Sequence, residues 1–277
     1  MAETRSPKSA LRVLAVSNQK GGVGKTTTAI NLGTALAAVG ERVLILDLDP
    51  QGNASTGLGI SADQRPLTSY DVIKGTCSML DATVKTLVPG LCVIPANSDL
   101  VGLEAELISD PNRPFKLRDA VTQLVAEQRA AVGDQGFSYV LIDCPPSLSL
   151  LTLNALVAAQ AVLVPVQCEF FALEGISQLK ETIDQIKATL NPGLELQGVV
   201  LTMHDARTQL SREVAESVRH VFGAKVYDTT IPRNVKIAEA PSHGKPILIY
   251  DTSSPGSKAY VGLAREVIER ERKYRAA

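Results

Sequence analysis

Residues 19–28 read Gln-Lys-Gly-Gly-Val-Gly-Lys-Thr-Thr-Thr, between an apolar run at 11–16 and a helical pattern that begins at Lys25. Glycines allow successive backbone N–H groups to curl around an anion, and the amino end of the following helix adds partial positive charge. Lys25 has the length to reach β- and γ-phosphates, and the Thr26 hydroxyl can ligate Mg²⁺. We therefore predict a phosphate-binding loop at this point of the chain.

This loop departs from the common pattern G-x-x-x-x-G-K-[ST] at its start. Gln19 stands where that pattern has its first glycine, and a second lysine, Lys20, follows. The stretch 20–27 resembles the deviant Walker A motif of the ParA/MinD ATPase superfamily, whose members bind ATP between two subunits. The resemblance implies that Lys20 reaches the other subunit's phosphates, where a cation stabilises developing charge as an arginine finger does. It implies that the nucleotide contacts within one subunit are Gly21, Gly22, Val23, Gly24, Lys25, Thr26 and Thr27.

Hydrophobic patterning predicts an α/β fold for the whole chain, which has 277 residues, 45% of them hydrophobic. Near-continuous apolar runs are typical of parallel strands that are buried on both faces. The predicted strands are 12–16, 42–47, 91–95, 139–143, 161–166, 196–202 and 225–227. The predicted helices are 25–39, 115–128, 173–190, 209–222 and 257–274. The alternation predicts a doubly wound, mostly parallel sheet with helices on both faces, the P-loop NTPase arrangement, with its ligand at the carboxyl ends of the strands.

Composition limits the classes of protein to consider. We expect a loose polar tail at 1–10 and a single ATPase domain at 11–277, and the tail lacks the apolar core of a signal peptide. The four cysteines are scattered, without a C-x-x-C pair, and are interpreted as reduced thiols of a cytoplasmic protein. The apolar stretch 148–166 is interpreted as a helix and a buried strand. The net charge of −1 means that any DNA binding must come from a local basic patch.

Two further motifs place carboxylates beside the phosphate loop. Asp47 and Asp49 follow the second predicted strand, and side chains at i and i+2 of an extended chain point the same way. The resemblance assigns Asp49 to the attacking water and Asp47 to the magnesium shell, although Asp47 could instead cap a strand end. Asp143 ends another apolar strand and is predicted to hold Mg²⁺ through water. The loops after Asp49 and Asp143 look like nucleotide-sensing switches.

Later loops are candidates for adenine recognition. In relatives of ParA, the loops that correspond to 202–205 and 231–234 flank the base. Met203 and Pro232 could sandwich the ring, and Asn234 or Asp205 could read its polar edge. Either loop could also be an ordinary turn. The N-K-x-D pattern by which many GTPases read guanine is absent from the sequence, which favours ATP.

The segments 49–59, 165–175, 205–210, 231–236 and 239–246 resemble chromosomal, Soj-type ParA partition proteins, and the resemblance covers about 11–268. It implies an ATP-dependent homodimer that binds double-stranded DNA without sequence preference and is nucleoid-associated. It also implies a ParB-like partner that stimulates hydrolysis. The matching DNA-binding cations are Arg207 and Lys236, with Arg219 as a further candidate and Arg212, Lys225 and Arg233 as neighbours. Arg212 and Arg219 are also within helical reach of Glu216, so surface ion pairs are the alternative interpretation.

Two rival functions share this ATPase core. A MinD-like positioning ATPase needs an amphipathic membrane-binding tail, whereas the apolar stripe of the last predicted helix stops by Ile268. We therefore expect no stable membrane association. A metabolic enzyme of the superfamily, such as an ATP-dependent ligase or a reductase component, needs a substrate pocket or cluster-binding cysteines. The sequence shows no pattern for either, so the partition ATPase is the favoured interpretation.

Overall fold

A seven-stranded sheet forms the centre of the structure, a computed structural model that describes residues 11–131 and 136–276. The strand order is β3-β4-β2-β5-β1-β6-β7, and all neighbours run parallel except β3, which is antiparallel to β4. The strands are β1 (Arg12–Val16), β2 (Val43–Asp47), β3 (Val84–Lys85), β4 (Leu91–Ile94), β5 (Tyr139–Asp143), β6 (Ala161–Gln167) and β7 (Glu195–Thr202). The predicted doubly wound, mostly parallel sheet is confirmed.

Helices cover both faces of this sheet. They are α1 (Lys25–Ala38), α2 (Asn53–Gly57), α3 (Ser69–Lys74), α4 (Leu103–Glu106), α5 (Lys116–Ala131), α6 (Leu150–Ala158), α7 (Ala172–Thr189), α8 (Gln209–Phe222), α9 (Val235–Glu239), α10 (Ile247–Tyr250) and α11 (Pro255–Ala276). Short 3₁₀ turns occur at Ala62–Gln64, Ser98–Val101, Arg113–Phe115, Gly223–Lys225 and Ala240–His243. None of the helices in the described ranges is both long and apolar enough to cross a bilayer.

Alternate residues of each strand enter two separate hydrophobic cores, because side chains alternate across a sheet. Val13 and Ala15 of β1 belong to the core that is covered by α3, α5, α6, α7 and α8. Leu14 and Val16 belong to the opposite core, where α1 packs against α11. Burial on both faces explains why the strands read as almost uninterrupted apolar runs.

The structure corrects one predicted strand. The segment 225–227 is not a strand, because Gly223–Lys225 forms a 3₁₀ turn and Val226 makes only an isolated parallel bridge to Val199. Conversely, the two-residue strand β3 was not predicted, since so short an edge strand has too few residues to show a period of two. The predicted tail at 1–10 lies outside the described residues, and a single domain at 11–277 stays a prediction.

Strand register brings the predicted carboxylates to one edge. Asp143 at the end of β5 lies opposite Val16 of β1 on one side and opposite Asp47 of β2 on the other. The phosphate loop leaves the same edge after Val16 and enters α1 at Lys25. Three motifs that are far apart in sequence therefore meet at the carboxyl ends of neighbouring parallel strands.

Candidate functional site

The phosphate loop has the backbone that its glycines predict. Gly22 and Gly24 have φ values of 74° and 87°, in the left-handed region that glycine adopts without strain. Gly24 caps the amino end of α1 without a side-chain hydrogen bond. Apart from the adjacent residues in the chain, no atom of the described residues lies within 4 Å of the position that a side-chain Cβ would take at Gly21 or Gly22. The loop therefore surrounds open space at a helix amino terminus, where an anion is stabilised.

Three polar side chains outside the motif hold this loop in place. The Asn18 amide donates to the carbonyl of Pro165 at 2.8 Å, while its Oδ1 accepts the N–H of Lys20 at 3.0 Å. Gln19 donates to the Thr182 hydroxyl at 3.1 Å, and the Thr202 hydroxyl donates to the carbonyl of Val23 at 2.8 Å. No local sequence pattern marks these roles, since the partners come from β6, α7 and β7.

Lys25 is buried at the base of the loop. Its side chain belongs to a residue only 7% exposed, and Nζ donates to the carbonyl of Lys20 at 2.9 Å. Burial lowers the pKa of Lys25, while the nearby charges of Asp143 and Asp49 oppose that shift. A buried ammonium that lines a loop of free N–H groups is suited to bind an anion, which would replace the solvation it has lost.

Asp143 and Asp47 are both fully buried, yet they differ in their partners. Neither carboxylate oxygen of Asp143 accepts a hydrogen bond of ordinary geometry from the described residues, although the Thr26 hydroxyl lies close enough to affect the pKa of this carboxylate. Burial, followed by the charge of Asp47, raises the pKa of Asp143 well above its usual range, while the Thr26 hydroxyl and Lys25 act in the opposite direction. A buried carboxylate without a partner is costly, and it therefore points to a ligand at this position.

Asp47, in contrast, already uses both of its oxygens within the protein. Oδ2 accepts the Ser55 N–H at 2.9 Å and the Ser55 hydroxyl at 2.7 Å, and Oδ1 accepts the Asp49 N–H at 3.2 Å. Burial raises the pKa of Asp47 to about 6, and the hydrogen bonds from Ser55 and Asp49 oppose it. This geometry agrees with the alternative interpretation, in which Asp47 caps the end of the strand. Its place in a magnesium shell stays a prediction.

Asp49 begins the loop that follows β2. Its Oδ1 accepts the N–H of Gln51 at 3.0 Å, and its carbonyl accepts the N–H of Gly52 at 2.8 Å. Asp49 is partly exposed, and its charge is close enough to raise the pKa of both Lys25 and Asp143. Asp49 therefore lies at the mouth of the site, where water has access.

The side chain of Lys20 contacts a segment outside the phosphate loop. Its amine forms an ion pair with Glu169 in the loop between β6 and α7, and it lies 5.7 Å from the ring centre of Phe171. About a third of each side chain in this pair remains exposed. Sequence reasoning missed Glu169, because nothing local connects residues 20 and 169. The structure thus leaves Lys20 at the surface rather than over its own Lys25.

The two predicted base-recognition loops are joined to each other. A parallel bridge pairs His204 with Pro232, and the N–H of Arg233 donates to the carbonyl of His204 at 3.1 Å. Met203 has a φ of 50°, which is rare for a residue with a side chain. Asn234 caps α9, where its side chain accepts the N–H of Lys236 at 2.8 Å.

Asp205 has a partner that the sequence did not predict. Both of its carboxylate oxygens accept hydrogen bonds from Arg207, at 2.9 Å from Nε and 2.8 Å from Nη2. These bonds and the nearby charge of Arg233 lower the pKa of Asp205. A role for Asp205 at the adenine edge stays a prediction, since that edge would compete with Arg207.

The predicted DNA-binding cations are exposed but do not form one cluster. Arg207 follows the carboxyl end of β7, and Lys236 lies in α9 next to the joined loops. Arg219 lies about 15 Å along α8 from Gln209, given the rise of an α-helix. Lys225 donates to the carbonyl of Leu196 near the amino end of β7, away from Arg207. None of the ion pairs within the described ranges includes Arg212 or Arg219.

The donor set at this edge fits a hard divalent cation with a polyphosphate. Mg²⁺ prefers oxygen ligands and usually binds through one or two carboxylates together with phosphates and waters. The orphaned oxygens of Asp143 and the Thr26 hydroxyl supply such ligands, and the loop N–H groups with Lys25 supply the phosphate contacts. The residues present therefore fit both groups.

Comparison with known sequences gives close relatives along nearly the whole chain. A family model described as an AAA domain matches residues 11–196. The chromosome partitioning protein ParA of Caulobacter vibrioides is 62% identical over 262 residues, which cover 95% of this chain and 96% of the relative. The sporulation initiation inhibitor protein Soj of Bacillus subtilis is 48% identical over 256 residues, which cover 92% of this chain and 98% of the relative.

Solved structures share the fold. One described as cobyrinic acid a,c-diamide synthase of Mycobacterium smegmatis, with bound ATP analogue and magnesium, has a TM-score of 0.80 and 39% identity, covering 95% of this chain and 96% of that one. The septum site-determining protein MinD of Pyrococcus horikoshii, complexed with Mg-ADP, has a TM-score of 0.76 and 25% identity, covering 93% and 96%. Both proteins hold a magnesium nucleotide on this architecture.

Proposed function

This chain belongs to the ParA/Soj family of chromosome-partitioning ATPases, and on that premise we propose that it is an ATP-driven switch for DNA partition. ATP with Mg²⁺ closes two copies into a dimer, the dimer binds DNA without sequence preference, and hydrolysis releases it. A ParB-like partner that stimulates hydrolysis is part of the proposal by resemblance to the family.

The main support for a nucleotide site is the carboxylate of Asp143, which is buried without a hydrogen bond of ordinary geometry. It lies beside Lys25 and the open glycine loop. Lys25 and the loop N–H groups bind the phosphates, and Asp143 with Thr26 would hold Mg²⁺. Bound Mg²⁺ would neutralise phosphate charge as it develops during transfer. Met203, Pro232 and Asn234 are proposed to line the base, because their loops are joined beside the phosphate loop through Thr202.

The catalytic step needs a positioned water and a second cation. Asp49 stands at the mouth of the site and is proposed to orient the attacking water. Lys20 is proposed to act on a second copy once it leaves Glu169, because about a third of its side chain is exposed and its partner lies in another loop. A cation over the transferring phosphoryl group stabilises charge that develops in the transition state. Removal of the γ-phosphate then loosens the loops that follow Asp49 and Asp143, and the dimer opens.

Hydrolysis as a function of chain concentration tests this proposal. If ATP is turned over only between two copies, activity per chain rises with concentration, and sedimentation with a non-hydrolysable analogue shows a dimer. Lys20→Ala should keep ATP binding but lose turnover, whereas Lys85→Ala, at an exposed lysine of β3, should behave as wild type. Activity per chain that is independent of concentration and insensitive to Lys20→Ala would refute the shared site.

A second candidate function has one observation in its favour. The solved structure described as a diamide synthase is 39% identical to this chain and covers 95% of it. An ATP-dependent amide synthase would consume ATP only when a carboxylic acid and a nitrogen donor are supplied. Turnover that needs those co-substrates, and that DNA leaves unchanged, would favour this candidate over the partition switch.

A further inference from the structure

Two of the cations that are predicted to contact DNA phosphates, Arg207 and Lys236, are each held by a carboxylate a few residues away in sequence. Arg207 is paired with Asp205, and Lys236 is paired with Glu239 at 2.9 Å. The two pairs belong to neighbouring segments, since the bridge between His204 and Pro232 joins the loop that carries Arg207 to the loop that precedes α9. A cation paired with a nearby carboxylate thus occurs in both of these neighbouring segments.

The Arg207 pair fixes the guanidinium without covering it. Asp205 accepts from Nε and Nη2, and it also accepts the backbone N–H of Arg207 at 3.1 Å. The Arg207 side chain is 88% exposed, whereas that of Asp205 is only 19% exposed. Of the five guanidinium N–H donors, two point to the carboxylate, so three remain for an incoming anion. The charge is nevertheless largely neutralised by its partner.

The Lys236 pair is built around a tyrosine. Glu239 Oε2 accepts from Lys236 Nζ and also from the Tyr250 hydroxyl at 3.1 Å. The Lys236 amine lies 5.7 Å from the centre of the Tyr250 ring, which stacks on His243. Tyr250 therefore holds Glu239 in position to compete for the lysine.

We propose that Asp205 and Glu239 are built-in competitors of DNA phosphates, which lower the DNA affinity of each chain. This inference rests on the proposed binding of DNA through Arg207 and Lys236. A phosphate must displace a carboxylate at each contact, and exposed ion pairs are weak enough for such an exchange. One copy of the chain then holds DNA poorly, and two copies aligned in a dimer hold it well. The carboxylates thereby make DNA binding depend on dimerisation.

Neutral variants of the two acids test the proposal. Asp205→Asn keeps an oxygen that can accept from Arg207 but removes the competing charge, and Glu239→Gln does the same for Lys236. With a saturating non-hydrolysable ATP analogue and a fluorescent duplex of arbitrary sequence, each variant should bind about threefold tighter, and the double variant about tenfold. The slope of log affinity against log salt should steepen by up to about 0.9 per carboxylate removed.

The chain offers a matched control in another part of the fold. Glu106 accepts from Lys74 at 2.9 Å and from the Tyr70 hydroxyl at 2.9 Å, which reproduces the lysine–tyrosine–glutamate arrangement around Glu239. Glu106→Gln changes the net charge equally, but Glu106 ends α4 and pairs with α3, outside the segments that carry Arg207 and Lys236, so DNA affinity and salt slope should not change. Asp205→Glu keeps the charge and should stay close to wild type.

The outcomes separate this inference from the function on which it rests. Tighter binding and a steeper slope for Asp205→Asn and Glu239→Gln, but not for Glu106→Gln, support it. If wild type binds DNA and Arg207→Ala weakens binding, yet the neutral variants bind no tighter, the inference is overturned while the proposed function stands. If neither wild type nor the neutral variants bind DNA in any nucleotide state, the proposed function fails and the inference fails with it. A merely structural role for Asp205 would lower the melting temperature of Asp205→Asn without steepening its salt slope.

Discussion

Charged side chains are buried at the inner edge of the sheet, formed by Lys25, Asp47 and Asp143. They are exposed in the outer loops, which are the segments that carry Arg207 and Lys236. Asp47 and Asp143 are 0% exposed and Lys25 is 7% exposed, whereas the Arg207 side chain is 88% exposed. Burying an ion costs several kcal/mol unless partners compensate, while an exposed pair contributes about 0–1 kcal/mol. A bound ligand would therefore stabilise the buried charges of the inner edge, whereas the exposed ion pairs of the outer loops can exchange one partner for another at little cost in free energy.

The difference sets the size of the effects to expect. A change at the inner edge should abolish nucleotide binding or alter the stability of the fold. A change in the outer loops should adjust DNA affinity and its salt dependence by modest factors and leave the fold intact. Substitutions in the two regions therefore test whether the buried charges control nucleotide binding and stability while the exposed charges control DNA affinity.

Lys25→Ala should have the largest effect. It removes the only buried ammonium beside the loop in the described ranges, and a hydrogen bond to a charged group contributes up to about 3 kcal/mol, so ATP affinity should fall about 100-fold. Titration with a fluorescent ATP analogue measures this loss. The exposed lysine variant Lys85→Ala is the control. Unchanged affinity in Lys25→Ala would show that the inner edge is not the phosphate site.

Asp143→Asn should separate stability from function. Burial and the charge of Asp47 raise the pKa of Asp143, so removal of the charge should increase the free energy of unfolding without nucleotide by about 1 kcal/mol or more. The same change should remove the magnesium dependence of ATP binding. Urea unfolding at neutral pH and ATP titration with and without Mg²⁺ measure the two effects, and Asp119→Asn at an exposed site is the control. A destabilised variant that still binds Mg-ATP would contradict our account of Asp143.

The pH dependence of stability tests the same carboxylates without mutation. Both Asp47 and Asp143 have a raised pKa, so their contribution to stability is complete below the ordinary pKa of about 4 and is lost as the pH rises through the folded values. For Asp47 that value is about 6, which corresponds to at most ~3 kcal/mol. Nucleotide-free protein should therefore lose stability as the pH rises from about 4 through about 6, where Asp47 ionises, and Asp143→Asn should flatten the curve at and above that range. Stability that rises across this window would contradict the assignment.

Arg207→Ala should have the most restricted effect, on DNA binding alone. DNA affinity at moderate salt should fall about tenfold and the salt slope by about 1 per chain, since each copy in the dimer loses one phosphate contact. ATP affinity and unfolding should not change, because the side chain is exposed. Fluorescence anisotropy with a duplex measures the DNA effect. Loss of ATP binding in this variant would mean that the outer loop belongs to the nucleotide site.

The features that sequence predicted are local ones. The loop at 19–28, the apolar strands and the carboxylates that end them are visible because each depends on a few adjacent residues. Parallel register then follows from the fold class, so the approach of Asp143 to Asp47 could be expected. The segment 225–227 was predicted as a strand from its short run of residues typical of strands, yet Arg270 donates to the carbonyls of Lys225 and Val226 at 3.0 Å and 2.8 Å.

The features that sequence missed depend on contacts between distant residues. Asp47 and Asp143 look alike in sequence, but Ser55 and the backbone of Asp49 donate hydrogen bonds to Asp47 and not to Asp143. The ion pair of Lys20 with Glu169 joins the loop after β1 to the loop after β6, and no local sequence pattern marks it. Asp205 and Arg207 are near neighbours in sequence, but a turn had to form before the carboxylate could accept from the guanidinium.

DNA binding by wild type and by Lys25→Ala, each with ATP, with ADP and without nucleotide, tests most directly whether the inner edge controls the outer loops. The account predicts that ATP strengthens binding by wild type, that rising salt weakens it steeply, and that Lys25→Ala gains nothing from ATP. Equal binding by both proteins in all three nucleotide states would contradict it.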